Sequence, residues 1–226
     1  MFTSCDAAQG DALDRIHSAG RLRYGSDMEG GGPYAYPDPS SPRDVTGFEV
    51  ELMASLGKGL GANPQFSQGQ WDKLLQLLDS GRIDLVCNGY EWTETRAHDY
   101  LSTRPYYVYQ LQLMARRGGT IRSWADLKQR PKPGGGRWTV GVLVGSAGDT
   151  FAAEQGGSLV EVIRFDGATD AMLAVQNGQY DATLQDVPAA RFYQERFPGL
   201  ELVGPAESHG YYVLYVRKEE RGLRDG

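Results

Sequence analysis

Leu77-Leu78-Asp79-Ser80-Gly81-Arg82-Ile83-Asp84-Leu85-Val86 and Ala174-Val175-Gln176-Asn177-Gly178-Gln179-Tyr180-Asp181-Ala182-Thr183 follow one pattern. In each, a helix end meets a glycine, a spacer, an aromatic or branched residue, an aspartate and then a strand. The two glycines and the two aspartates share an offset of 97 residues. Glycine ends helices in many unrelated proteins, so two such connections can also arise independently. As an internal echo they predict two lobes of the same α/β design. Ligands of open α/β sheets sit at the carboxyl edge of the strands, so two such edges facing each other form a cleft.

Outward from the first unit, Leu22-Arg23-Tyr24-Gly25 predicts a strand, followed by a Gly- and Pro-dense loop over residues 26–46. Residues 47–61 read as an amphipathic helix, with Val50, Met53, Leu56 and Leu60 at spacings of three and four and Gly61 as its stop. A second helix over 71–79 leads into an apolar strand at 83–87. A helix over 93–100 and a long strand over 106–115 complete the first half. In the second half, Ser123 caps a helix over 123–129. Strands at 138–144, 160–164, 181–184 and 200–203 then alternate with helices at 149–155, Ala168–Gln176 and 187–197. This alternation predicts βαβ units and a mainly parallel sheet.

Composition narrows the function. Of 226 residues 40% are hydrophobic and 23% charged, an ordinary globular mixture that excludes wholesale disorder. The net charge of −6, without a basic stripe, argues against nucleic acid. Two cysteines and three scattered histidines form neither a disulfide framework nor a zinc site, so no metal or cofactor is expected. Cys87, inside an apolar run, reads as a buried thiol. No apolar stretch approaches the roughly 18 residues of a membrane span. Residues 1–20 read as a polar tail ending in a short helix. They carry no basic start with an apolar stretch of roughly 7–15 residues, and a targeting segment cut from this end stays open.

After each echo comes a polar strand-to-helix turn: Asn88-Gly89-Tyr90-Glu91-Trp92-Thr93-Glu94-Thr95-Arg96, and Gln185-Asp186-Val187-Pro188. Thr93 suits an N-cap, and Pro188 suits a first turn, where its missing N–H is no loss. An arginine on one lobe and an aspartate on the other are the minimum for clamping a zwitterion. The guanidinium takes a carboxylate through paired N–H groups and the acid accepts from an ammonium. Taken alone, Arg96 is equally a surface helix residue and Asp186 equally a helix cap.

These residues stand in an order that resembles the family 3 periplasmic solute-binding proteins of polar amino-acid ABC transporters. The matching pieces include Gly47-Phe48-Glu49-Val50-Glu51-Leu52, Trp71-Asp72, Thr93-Glu94-Thr95-Arg96, Pro105-Tyr106-Tyr107, Ala125-Asp126-Leu127-Lys128 and Gln185-Asp186-Val187-Pro188, in register over about residues 20–225. The resemblance implies a two-lobed, type II periplasmic-binding-protein-like α/β fold. Lobe 1 would comprise residues 1–113 and 210–226 and lobe 2 residues 114–209, with crossovers near 113–116 and 204–210, and the lobes would meet only there and through the ligand. It implies that Arg96 clamps a ligand α-carboxylate, Asp186 holds the α-amino group, and Ser146 hydrogen-bonds the carboxylate. Gly89 and Gln185 would line the cleft with Asn88, Asp27 would face the ligand side chain, and Phe48 would form pocket wall. Glu91 departs from the pattern, standing where the family usually offers a hydroxyl. Gly30-Gly31-Gly32 would loosen a loop that often carries a stacking aromatic.

The function so implied is extracytoplasmic capture of a polar L-amino acid for ABC-transporter uptake, by a monomer with no catalytic residue, no cofactor and a permease as partner. Alternatives are a receptor's sensor domain and a dehydratase-like enzyme. Anchoring could run through Cys5 as a lipoprotein or through a permease fused to the chain, which stops short of the family's closing helices. Asp27, Glu91 and Asp186 against Arg96 give the cleft a formal net charge of −2. Either one acid is protonated or solvated, or the ligand is cationic or amide-bearing, with arginine first and acidic amino acids disfavoured.

Overall fold

A computed structural model describes residues 11–225, so Cys5 lies outside the described residues. The chain runs α1 (Ala12–Ala19), β1 (Arg21–Ser26), β2 (Tyr36–Asp38), β3 (Ser41–Thr46), α2 (Phe48–Gly59), β4 (Asn63–Gln68), α3 (Leu74–Asp79), β5 (Leu85–Val86), α4 (Glu94–Asp99) and β6 (Tyr100–Ser102). It continues through β7 (Tyr107–Arg116), α5 (Trp124–Gln129), β8 (Trp138–Leu143), α6 (Ala147–Gln155), β9 (Val160–Phe165), α7 (Ala168–Gln176), β10 (Ala182–Asp186), α8 (Val187–Tyr193), β11 (Leu200–Tyr212), β12 (Tyr215–Arg217) and α9 (Arg221–Asp225). Two five-stranded sheets result, ordered β4-β1-β5-β12-β6 and β11-β7-β10-β8-β9, with β2 and β3 as a separate ribbon. The fold is the expected pair of α/β lobes.

The echo has a physical basis. In the first lobe Asp84 N donates to Arg23 O (2.8 Å) while its carboxylate accepts from Arg23 N (2.9 Å) and Nη2 (2.6 Å). In the second, Asp181 N donates to Thr139 O (3.1 Å) and its carboxylate accepts from Thr139 N (2.8 Å) and Lys132 Nζ (2.7 Å). Each aspartate pins the start of one strand to its neighbour and satisfies backbone groups at the sheet's bottom edge. The opposite ends of β5 and β10 therefore open toward the cleft.

Two segments run between the lobes as partners. β7 and β11 pair antiparallel from Tyr107↔Tyr212 to Arg116↔Leu200, with register shifts around Glu207. Leu111–Ala115 of β7 also pairs with β10, so residues 113–116 are already inside the second sheet. The stretch of β7 that pairs with β11 alone is nearer Tyr107–Gln110. The expected strand at 200–203 continues to Tyr212 because β7 offers an open edge for its whole length. Ser123 caps α5 within a capping box closed by Asp126, and Cys87 is fully buried.

The lobes also touch directly, which corrects the expectation of contact only through crossovers and ligand. Gly32 N donates to Tyr193 Oη (3.0 Å) and the Tyr36 ring lies 4.8 Å from that of Phe192. The glycine run makes this approach close rather than loose. A Cβ on Gly32 would lie 2.2 Å from the Phe192 ring, and one on Gly31 would lie 2.1 Å from Asp27 O.

Candidate functional site

Helix α4 begins at the carboxyl end of β5. Thr93 Oγ1 accepts from Arg96 N (3.1 Å), fixing Arg96 in the first turn. Its side chain is turned inward, 13% exposed, with the guanidinium 4.6 Å from the Tyr90 ring centre and 5.3 Å from that of Trp71. Nη1 donates to Glu91 O and Oε2, both at 2.8 Å, and Nη2 reaches Gly145 O of the other lobe at 3.0 Å. Glu91 Oε1 accepts from Ala147 N, the first residue of α6, at 2.9 Å. A guanidinium and a helix N-terminal N–H thus converge on one carboxylate from opposite lobes, a strong anion-holding arrangement. Its occupant is the protein's own Glu91.

Across the cavity lies Asp186. It precedes α8, but its side chain caps nothing. Tyr212 Oη donates to Asp186 Oδ2 instead, and Tyr212 exchanges a hydrogen bond with Tyr34 Oη at 2.9 Å. Tyr212 stacks on Tyr109 (4.7 Å) and Tyr107 (5.5 Å) where β7 and β11 pair, so this hydroxyl chain joins the crossover to both lobes. Burial foremost, then the charge of Glu91, push Asp186 up to about 8 against the lowering by Tyr212 and Tyr34. Burial thus favours the neutral form of Asp186, which reduces the formal charge count of the cleft.

The cavity, about 600 Å³ including space open to solvent, is lined by Asp27, Asn88, Gly89, Glu91, Ser146, Gln185 and Asp186 among others. Asp27 is not a free acid. Its carboxylate accepts from Glu29 N (2.9 Å), Gln68 Nε2 (2.7 Å) and Trp71 N (3.1 Å), and burial, the largest influence, still raises it. Asn88 Oδ1 takes Asp27 N (3.0 Å), leaving Nδ2 buried without a partner among the described residues. Ser146 caps α6 by accepting from Asp149 N (3.2 Å), and Gln185 Nε2 donates to Thr183 Oγ1 (2.7 Å).

Two candidate residues are not in the lining. Arg96 sits behind Glu91. Phe48 packs 5.5 Å from the Tyr34 ring and 5.8 Å from Tyr107, so it supports the wall from outside. Tyr34, Trp71 and Tyr212 occupy places that sequence reasoning did not assign. The quoted Trp71-Asp72 motif signalled Trp71, whereas no spacing announces Tyr34 or Tyr212. Glu49 was also missed: fully buried, it accepts from Gly89 N (2.7 Å) and Tyr106 Oη (2.5 Å). Burial pushes Glu49 up to about 7 despite those bonds, and the Gly89 N–H is thereby used within the protein. Among the described residues no three His, Cys, Asp or Glu side chains cluster as metal ligands, and no helix is long and apolar enough to cross a membrane.

The comparisons agree with this architecture. The family profile of bacterial extracellular solute-binding proteins, family 3, matches residues 22–225. The L-cystine-binding protein TcyJ of Escherichia coli (strain K12) is 32% identical over 219 residues, covering 93% of this chain and 76% of that protein. Holo ArgBP from T. maritima superposes with a TM-score of 0.84 at 27% identity, covering 94% of this chain and 89% of the other. The ancestral amino acid-binding protein AncCDT-1, a precursor of cyclohexadienyl dehydratase, gives 0.84 at 25% identity over 95% and 89% of the two chains. The chain therefore belongs to the bacterial extracellular solute-binding proteins of family 3.

Proposed function

We propose that the chain captures a polar L-amino acid, basic or amide-bearing, between its lobes and presents the closed form to an ABC-transporter permease outside the cytoplasm. The observation that carries this reading is the opposition of two chemistries across one cavity. Arg96 and the α6 N-terminus suit a carboxylate, and Asp186 suits an amine. An α-amino acid supplies both groups at a fixed separation, and the relatives are binding proteins by name. Differential contact with both lobes is what shifts such a protein toward its closed state. Anchoring by a Cys5 lipid or by a fused permease is part of the same proposal.

Thermal-shift and calorimetric titration with arginine, lysine, histidine, glutamine and glutamate tests it. Ligand-dependent stabilisation by a basic or amide-bearing amino acid is expected. Tighter glutamate binding at neutral pH refutes the charge argument, and no response to any amino acid refutes the capture reading.

A dehydratase-like reading has one feature in its favour, the buried Asp186, whose carboxyl burial pushes toward the protonated form of a general acid. Against it, Glu91 is committed to Arg96 and Ala147 N, so the acid matched to Asp186 across the cavity is already paired within the protein. Mass spectrometry of a bound ligand after long incubation separates the two, since capture returns it unchanged.

A further inference from the structure

Glu91 is held in two different ways. Its backbone is fixed: Glu91 O accepts from Arg96 Nη1 and from Tyr215 Oη (3.1 Å), Glu91 bridges to Tyr212, and Trp92 N donates to Tyr211 O (2.8 Å). Among the described residues its side chain has two partners, Arg96 Nη1 and Ala147 N. Arg96 keeps its place without the Glu91 carboxylate, through Glu91 O, Gly145 O and the Tyr90 ring. Rotation of one side chain therefore empties the carboxylate clamp while leaving it assembled.

Glu91 is 1% exposed where it now pairs with Arg96, and a rotated side chain would give up both partners, an arrangement that is costly for a charge between two closed lobes. The cavity wall it faces carries the acids Asp27, Glu29, Asp166 and Asp186, and among the described residues no lysine or arginine lines it. Its charge is felt there, being the second cause of the upward shift of Asp186. Asn88 Nδ2 can donate to it but carries no charge, so a full counter-charge has to come with the ligand.

We propose that Glu91 is the specificity-determining residue of the cleft: an internal carboxylate that yields the Arg96–α6 clamp to the ligand's carboxylate and pairs in exchange with the ligand's cationic side chain. This rests on the amino-acid reading above and deepens it. An amino acid with a neutral side chain pays for displacing Glu91 and gets no return. A basic one closes the exchange with every charge paired.

The test is calorimetric binding of arginine and citrulline, in which a neutral urea replaces the guanidinium at nearly the same size, to the wild type, Glu91→Gln and Glu91→Thr. A buried charge pair lost from the complex predicts that the wild type favours arginine by at least about 30-fold. In both variants that ratio should fall to within about 3-fold, with citrulline binding gained because the clamp no longer has an internal competitor. Circular dichroism establishes that the variants are folded, and the wild-type ratio stands as a test even where they are not. Equal affinity of the wild type for arginine and citrulline, or an unchanged ratio in a folded variant, overturns the exchange alone. A wild type that binds no amino acid overturns the capture reading with it.

Discussion

Truncating Arg96 to alanine tests the site through stability as well as binding. Read from sequence as a cleft-facing residue at the start of a helix, Arg96 should be replaceable with loss of binding but without loss of fold. Its side chain is instead 13% exposed and Glu91 is 1% exposed, the two joined at 2.8 Å. Removing the guanidinium leaves a buried carboxylate with one backbone N–H, leaves Gly145 O without its donor, and opens a gap over Tyr90. Breaking one side of such a pair costs about 3–5 kcal/mol. At roughly 2–4 °C per kcal/mol for a chain of this size, the ligand-free melting point should fall by about 6–20 °C. Glu91→Gln added to Arg96→Ala removes the orphaned charge, so the double variant should recover most of that loss. The measurement is a double-mutant cycle by chemical denaturation without ligand, the coupling being the part that is not additive. A coupling below about 0.5 kcal/mol, the range of independent sites, would refute the buried-pair argument. Binding adds a second arm: folded Arg96→Ala should lose amino-acid affinity, and near-native affinity would remove Arg96 from the clamp.

Glu49 and Asp186, raised to about 7 and about 8, bind protons more tightly folded than unfolded. The stability they contribute is complete below their unfolded values near 4 and is lost as pH rises through 7 and 8. The ligand-free melting point should decline over that window, and Glu49→Gln, which keeps an acceptor for Gly89 N and Tyr106, should flatten its lower part. A flat profile in the wild type counts against both assignments. Tyr212→Phe removes the hydroxyl shared by Asp186 and Tyr34 and should cost about 1–3 kcal/mol, with Asp186 titrating still higher by NMR; an unmoved Asp186 breaks the proposed chain. Asp84→Asn, in the first echo, should lower stability by about 1.5–3 kcal/mol and leave ligand affinity unchanged, and a large affinity loss would mean that the sheet's lower edge communicates with the cleft.

The fold was legible because its signals are local. Gly81 and Gly178 end helices by a left-handed backbone, and the aspartates three residues on repeat one strand-pinning device, so the echo reports real geometry. The alternation of helix and strand needed nothing from tertiary contact. What sequence could not deliver is where two distant segments share one contact. Strand β11 was cut short because residues 204–210 have little strand propensity of their own, and β7 supplies what they lack. Tyr34 and Tyr212 are separated by 178 residues and meet only through folding.

Glu91 shows the same limit at the site. Counting charges identified an excess of acid, which is a property of composition, and left open whether protonation or a cationic ligand resolves it. The structure supplies both halves of an answer at different residues. Burial raises Asp186 toward its neutral form, whereas Glu91 is paired with the cation and the helix N-terminus that its neighbours hold. Which acid does which depends on a rotamer and on the approach of the α6 N-terminus from the other lobe, and neither is encoded within reach of a motif. A hydroxyl at position 91 would leave the clamp open to any amino acid. A carboxylate there closes it from within, and on the exchange proposed above this departure from the family's pattern is the residue through which the cleft chooses its ligand.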